Sequence, residues 1–388
     1  MTAAFGRDRL EAVLDGFDLR GVLVGIEPFG HGHINHTYRS VYDEGGIRIR
    51  YTHQRINEQV FTRPEEVMEN IDRILRHLGS KILAAGHSDP ERRCLHLISG
   101  KAGRPWVLDS EGGYWRTYAF IERAKTCEVM ESDFQAESIA RAAGRFLLML
   151  ADLGGPRLHE TIPHFHDTSA RYRKFHEALE ADPLNRAASV RKEIDWVLAN
   201  QERGCAIARA IREGSIPERI CHNDTKANNI LLDETTGEAL CVIDLDTVMP
   251  GSLLYDFGDL VRTSTGTAAE DERDASRMEM RLSLFRALAA GFIGETGAIM
   301  TGGERELLPE AGRVITVEQA LRFLGDYLAG DPYYRIHRPG HNLDRARTQI
   351  ALVESMDRQT EGIVAACAAA ATAAVSGMTV AVFGAKSR

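Results

Sequence analysis

The chain has 388 residues, 44% hydrophobic and 27% charged, the profile of a soluble globular protein rather than a disordered or fibrous one. Its 47 Lys and Arg against 56 Asp and Glu leave a net charge of −9 with no basic block, which argues against nucleic acid or an anionic membrane as partner. Six cysteines, none in a C-x-x-C pair, fit reduced thiols in a cytoplasmic protein whose core needs no covalent staples.

The N-terminal stretch MTAAFGRDRLEAVLDG lacks the apolar run of a secretory signal, and residues 8–19 predict a short amphipathic helix. Residues 22–29 and 36–42 predict strands flanking GHGHIN, with IRIRYTHQRI as a third strand after the Gly45-Gly46 turn. Residues 64–78 open on Pro64 and two acids, then align Val67, Ile71, Ile74, Leu75 and Leu78 on one face, as a helix does. LHLIS, RPWVLD and WRTYAFIE predict three more strands. Beyond Glu122 helical periodicity dominates, over 135–153, 170–181, 187–212, 275–293, 317–329 and 343–374. Two short apolar runs, NILLD and ALCVIDLD, interrupt it on either side of ETTGE.

The expected fold class is α+β and bilobal. A small β-rich N-terminal lobe, residues 1–122, would bind nucleotide, and a larger, mainly helical C-terminal lobe, residues 123–388, would hold the catalytic loop and the acceptor. Gly362–Ala385 has no charged residue and is long enough to span a bilayer. It is mostly Ala, Gly, Ser and Thr, so the expectation is a helix packed on the body, with no membrane and no obligate protein partner.

Chemistry concentrates in ICHNDTKANNILLD, residues 220–233. Polar side chains this dense between apolar runs are costly unless each has a partner or a task. If NILLD and ALCVIDLD form a hairpin, Asn229 and Asp244 meet at one end of it, with Asp224 on the preceding loop. Oxygen-bearing groups so arranged suit Mg²⁺, and Asp-x-x-x-x-Asn followed by a strand-end Asp is the spacing of a kinase catalytic loop. Lys226 would place positive charge near a moving phosphoryl group, and His222 reads as a structural residue of the loop. The plain alternative is a polar loop closed by Asx turns. The Gly30–Gly32 turn in GHGHIN could cover phosphates with backbone amides or be an ordinary hairpin turn, and Asn35 stands where a kinase pattern has its third glycine. His164 and His166 alternate in HFHD, but no third zinc ligand accompanies them.

HNDTKANNILLD and CVIDLDTVMPGSLLYDFGD resemble the aminoglycoside phosphotransferase and choline kinase superfamily, whose fold is protein-kinase-like. GIEPFGHGHINHTY, QRIN, IPHFHDT, RFLGDYLAGDPYY and HNLDRARTQIALV extend the resemblance over nearly the whole chain, toward the N-acetylhexosamine 1-kinases. The resemblance implies ATP and Mg²⁺ as cofactors and a small-molecule sugar as substrate. It makes Asp224 the catalytic base, which also contacts the acceptor, with Asn229 and Asp244 as metal ligands and Asp256 and Asp259 as acids holding the loop. Arg322 and Tyr333 would contact the sugar from the large lobe and His33 from the small one. Phe120-Ile121-Glu122 would be the hinge that reads adenine. The strand that normally carries a phosphate-pairing Lys reads YTHQRIN, leaving Arg55 as the nearest cation and Glu66 or Glu69 as its partner. Thr263 stands where the family tends to place an aromatic. Two other readings stay open: a kinase for an amino alcohol or aminoglycoside, and a nucleotide-binding scaffold without activity.

Overall fold

The computed structural model describes residues 5–30 and 34–385, and side chains as far as residue 376. Helix α1 (Arg7–Leu14) precedes strands β1 (Val22–Pro28), β2 (His36–Glu44) and β3 (Ile47–Arg55). Helix α2 (Pro64–Ala84), β4 (Val107–Leu108) and β5 (Tyr114–Ala119) complete an antiparallel sheet of order β1-β2-β3-β5-β4. The predicted strand LHLIS forms no ladder of its own. It runs beside β5 through an isolated Leu97–Tyr118 bridge and a bond from Ile98 N–H to the Thr117 carbonyl, because β4 pairs only with Tyr114 and Trp115.

The chain leaves this sheet at Phe120–Arg123, and β6 (Ala124–Lys125) pairs instead with β8 (Ile230–Asp233). Helices α3 (Asp133–Leu150) and α4 (Thr168–Ala181) follow. The long helix expected over 187–212 is broken into α5 (Arg191–Ala199), α6 (Gln201–Gly204) and α7 (Ala206–Arg212). Asn200 sits at the first break, its side-chain amide bonded back to the Trp196 carbonyl at 2.9 Å, a local bond that competes with helix continuation. Strand β7 (Arg219–Cys221) pairs with β10 (Met249–Gly251), and β8 with β9 (Ala239–Val242). The remaining elements are α8 (Leu253–Ser264), α9 (Leu282–Thr296), α10 (Gly302–Leu307), α11 (Ala311–Leu328), α12 (His341–Arg358) and α13 (Thr360–Ala385). The architecture is thus α+β, a small antiparallel sheet followed by a larger helical part.

The main core lies among α3, α8, α9, α11 and α13, with Ile139, Phe257, Leu260, Leu288, Phe292 and Val314 fully buried. Each such side chain contributes roughly 1.5–3 kcal/mol relative to exposure. Gly291 of α9 lets α3 approach closely, since a Cβ there would stand 2.3 Å from the Glu137 carbonyl oxygen. Ile363, Ala366, Cys367 and Ala370 set one face of α13 into this core. Among the described residues no helix is long and apolar enough to cross a membrane. A second cluster joins Val67, Ile71, Ile74 and Leu78 of α2 to Phe146 and Leu150 of α3 and to Leu245 and Val248. Helix α2 therefore belongs to the first lobe by sequence but packs on the second.

Candidate active site

The loop between β7 and β8 is held from several directions. Asp256, in the first turn of α8, accepts the backbone N–H groups of His222 at 2.9 Å and Asn223 at 2.7 Å. His222 Nε2 lies 2.9 Å from the Ile243 carbonyl and its Nδ1 3.4 Å from the Asp224 backbone nitrogen, so the ring ties the loop to the end of β9. Asn223 takes a left-handed backbone (φ 64°) and turns its amide onto the Cys221, Thr247 and Met249 carbonyls. Asn accepts this conformation more readily than most residues. The hairpin register pairs Ile230 with Val242, and Ile243 N–H donates to the Asn229 carbonyl at 2.9 Å. Asn229 and Asp244 therefore meet at one end of the hairpin, as its alternating apolar pattern predicts.

Asp224 points its Oδ2 at Lys226 Nζ (3.0 Å) and Asn229 Nδ2 (3.3 Å), and among the described residues its Oδ1 has no partner. Burial pushes this carboxyl up, but the charge and hydrogen bond of Lys226, with His222 and Arg262, more than offset it and hold Asp224 below its usual value. Asp224 is therefore held in its ionised form, with Oδ1 open to accept a hydrogen bond. Asn229 commits its amide N–H to the Asp224 carbonyl and carboxylate, which leaves its Oδ1 available as a ligand.

The Asp244 carboxylate makes no hydrogen bond or ion pair among the described residues. Its backbone is left-handed (φ 62°), a strained placement for an Asp that does not pack. Burial, Asp246 and Asp224 together push its pKa up to about 6. An unpartnered carboxylate crowded by two others is a site that a divalent cation would relieve. Asn229 Oδ1 and Asp244 supply two hard oxygens, leaving room for water and phosphate as Mg²⁺ prefers. The donor set fits the metal that the spacing predicts.

The small-lobe expectations fare differently. Gly30 adopts a φ of 78° beside open space, whereas Gly32 and His33 lie outside the described residues. Arg55 is not placed to pair with phosphates. It bonds Asp109 at 3.3 Å and faces the Phe5 ring, on the outer side of the sheet. Side chains alternate along a strand, so its neighbour Gln54 takes the opposite face and meets Arg116 of β5 at 2.9 Å. Arg116, only 1% exposed, pairs with Asp246, and its charge helps offset the upward push on Asp244. The cation facing the Asp244 loop from the sheet is thus Arg116, a residue sequence reasoning missed because it lies on β5 rather than β3. Glu66 and Glu69 do not meet Arg55 either; both lie against His159, and Glu66 also pairs with Arg63. Glu122 sits on the crossing segment with its carboxylate on Arg50 and its carbonyl accepting from Arg92 at 3.1 Å.

Residues 25–290 match the profile of the phosphotransferase enzyme family. The chain belongs to that family. Its fold is shared with an aminoglycoside phosphotransferase from Alicyclobacillus acidocaldarius (16% identity over 93% of this chain and 98% of that one, TM-score 0.51). A spectinomycin phosphotransferase solved with ADP and spectinomycin is 13% identical over 93% of this chain and 100% of its own, at TM-score 0.56. A choline kinase from Cryptosporidium parvum is 12% identical over 88% and 91%, at 0.54.

On the other side of this loop, His166 ties the helical part of the molecule to Asn223, the residue before Asp224. Its Nε2 donates to the Asn223 carbonyl and its Nδ1 to Glu318, each at 2.9 Å, so both nitrogens face acceptors and the ring is satisfied only when protonated. Burial opposes that charge, but Glu318 outweighs it and raises the His166 pKa. Glu318 also accepts from Thr168 at 2.7 Å. Beside this pair stand Arg322 of α11 and Arg171 of α4, both half-buried. Among the described residues Arg322 bonds Gln319 Oε1 alone (3.1 Å) and lies over the Tyr334 ring, and Arg171 bonds the Phe165 carbonyl alone (2.8 Å), with its Nε buried and unpartnered. Neither has a carboxylate within 4 Å among the described residues. Burial and the neighbouring Arg322 lower the Arg171 pKa. Tyr333 is 64% exposed beside them, and its N–H and that of Tyr334 are fixed by Asp326 at 2.9 and 3.0 Å. Thr263, where an aromatic was expected, is exposed and bonds the Asp259 carbonyl at 2.7 Å. Sequence reasoning singled out Arg322 and Tyr333 but not Arg171, which carries no motif of its own.

Proposed function

We propose that the protein is an ATP- and Mg²⁺-dependent kinase that phosphorylates the anomeric hydroxyl of an N-acetylhexosamine, N-acetylglucosamine or N-acetylgalactosamine, to a sugar 1-phosphate. Nucleotide sits on the 1–122 lobe at the Gly30–Gly32 turn and the Glu122 hinge, and sugar on the 123–388 lobe, in the cytoplasm. Asp224 Oδ1 accepts the hydrogen of the sugar hydroxyl and aims its oxygen in line with the γ-phosphoryl. A depressed pKa suits this task, since a loose phosphoryl-transfer transition state asks more for orientation than for a strong base. Lys226 holds the carboxylate and adds positive charge beside the moving group. Asn229 and Asp244 hold Mg²⁺, which when bound neutralises charge on the nucleotide phosphates.

One observation favours a neutral sugar over a cationic acceptor: Arg171 and Arg322 present N–H donors that no carboxylate among the described residues occupies. A cationic amino alcohol or aminoglycoside would meet like charge there, whereas hydroxyl and acetamide oxygens supply the missing acceptors. Tyr333 offers an exposed ring for stacking. The N-acetyl and anomeric assignments rest on the resemblance of RFLGDYLAGDPYY and HNLDRARTQIALV to the N-acetylhexosamine 1-kinases.

The test is to incubate enzyme, MgATP and an acceptor panel, reading the product by phosphorus NMR. A glycosyl 1-phosphate is expected; a 6-phosphate, or preference for choline or an aminoglycoside, would overturn the reading. Asp224→Asn should lower kcat by about 10²- to 10⁴-fold while ATP still binds.

A further inference from the structure

Asp246 lies two residues beyond Asp244, on the single turn Leu245–Thr247, and it is 2% exposed. Both of its carboxylate oxygens are taken by the small lobe. Oδ1 accepts from Arg116 Nη1, and Oδ2 accepts from Asn35 Nδ2 at 2.7 Å. Asn35 is itself fixed, since its Oδ1 accepts the Asn57 N–H at 3.0 Å, and Gln54 Oε1 braces Arg116. The Asp246 carbonyl accepts from Thr161 Oγ1 at 2.6 Å on the opposite side. The Asp244 carboxylate, by contrast, has no hydrogen-bond partner among the described residues.

We infer that Asp246 is the point at which the small lobe sets the place of Asp244, and that Asn35 and Arg116 are positioning residues for the metal and nucleotide. The argument runs through chain connectivity and charge. A left-handed residue has little freedom when the residue two positions later is clamped through both side-chain oxygens and its carbonyl, so the direction of the Asp244 carboxylate follows the clamp. Arg116 in addition brings a sheet cation onto the Asp246 turn. Asn35 occupies the position of a kinase pattern's third glycine, and the clamp accounts for that departure: a glycine has no side chain with which to reach Asp246. A displacement of about 1 Å in such a site is enough to cost roughly 10²-fold in rate.

The inference rests on the kinase reading, so its test has an arm that needs no acceptor. Binding of ATP with Mg²⁺ is measured by titration calorimetry, and KM values for ATP and sugar by steady-state kinetics, for Asn35→Ala, Asn35→Gly and Arg116→Lys. Both Asn35 variants should weaken ATP binding and raise the Mg²⁺ requirement by about tenfold, the loss expected for one bond to a charged group. The sugar KM should change less than about twofold, and Arg116→Lys, which keeps the charge but not the fork, should fall between. Unchanged ATP and Mg²⁺ affinity in the Asn35 variants, or equal losses on the ATP and sugar sides, would overturn the inference while leaving the kinase reading intact. Absence of nucleotide binding by the unaltered protein would overturn both.

Discussion

Arg116, against the Asp246 turn, and Arg322, beside His166 and Glu318, are both drawn into the protein, and they are treated in opposite ways. Arg116 is fully enclosed, and Asp246 answers its charge directly. Arg322, with Arg171 next to it, keeps its charge with only an amide oxygen and an aromatic face for company. The first arrangement is complete without a ligand, because a buried guanidinium is tolerated when its carboxylate comes with it. The second is incomplete, and its lost interaction energy is recoverable only when something with oxygen acceptors enters. On the proposed function, the difference separates a residue that fixes the site from residues that would meet the acceptor.

The most damaging way to probe this contrast is Arg116→Met, which leaves Asp246 buried with only Asn35 as donor. A stability loss of about 3–5 kcal/mol is expected by denaturant unfolding, the usual result of removing one half of a buried pair. Arg322→Met should change stability by less than about 1 kcal/mol yet raise the sugar KM by about 10- to 100-fold, the range for losing bonds to a charged donor. If it instead destabilised the protein as much as Arg116→Met, the contrast between the two arginines would fail. Arg171→Met should raise the sugar KM by a smaller factor, and relief of its repulsion with Arg322 should leave the melting temperature equal or higher. The gentlest probe is pH. His166 has a raised pKa, so its contribution to stability is fully present below the ordinary histidine value and fades as pH rises through the raised one. The melting temperature of the unaltered protein should therefore fall as pH rises above the ordinary histidine range, and His166→Gln should flatten that slope. Glu318, held down to about 2 by His166 against the effect of burial, contributes above the usual Glu range and loses its share only as pH falls toward 2.

Much of this was legible in the sequence because the signals were local. Asp224, Asn229 and Asp244 lie within one loop and one hairpin, whose period-two pattern sets their meeting point. The pinning of the loop by Asp256 likewise follows from a nearby helix start. What escaped the sequence depends on which face of the sheet a residue occupies. Arg55 and Gln54 are neighbours, and a one-residue change of phase exchanges the cleft for the outer surface. Arg116 and Arg171 reach their places through strand pairing and helix packing over long separations, which no motif encodes. The break at Asn200 was hidden for a related reason: the apolar spacing of 187–212 is helical throughout, and a single side-chain bond overrides it.

The core that α2 shares with α3, Leu245 and Val248 has a consequence for how the molecule comes apart. A chain cut after Glu122 would strip Phe146 and Leu150 of their α2 partners and expose the inner face of α2. Neither half is then a folding unit. Heat should melt the two lobes together in one calorimetric transition, despite a division that looks natural on paper.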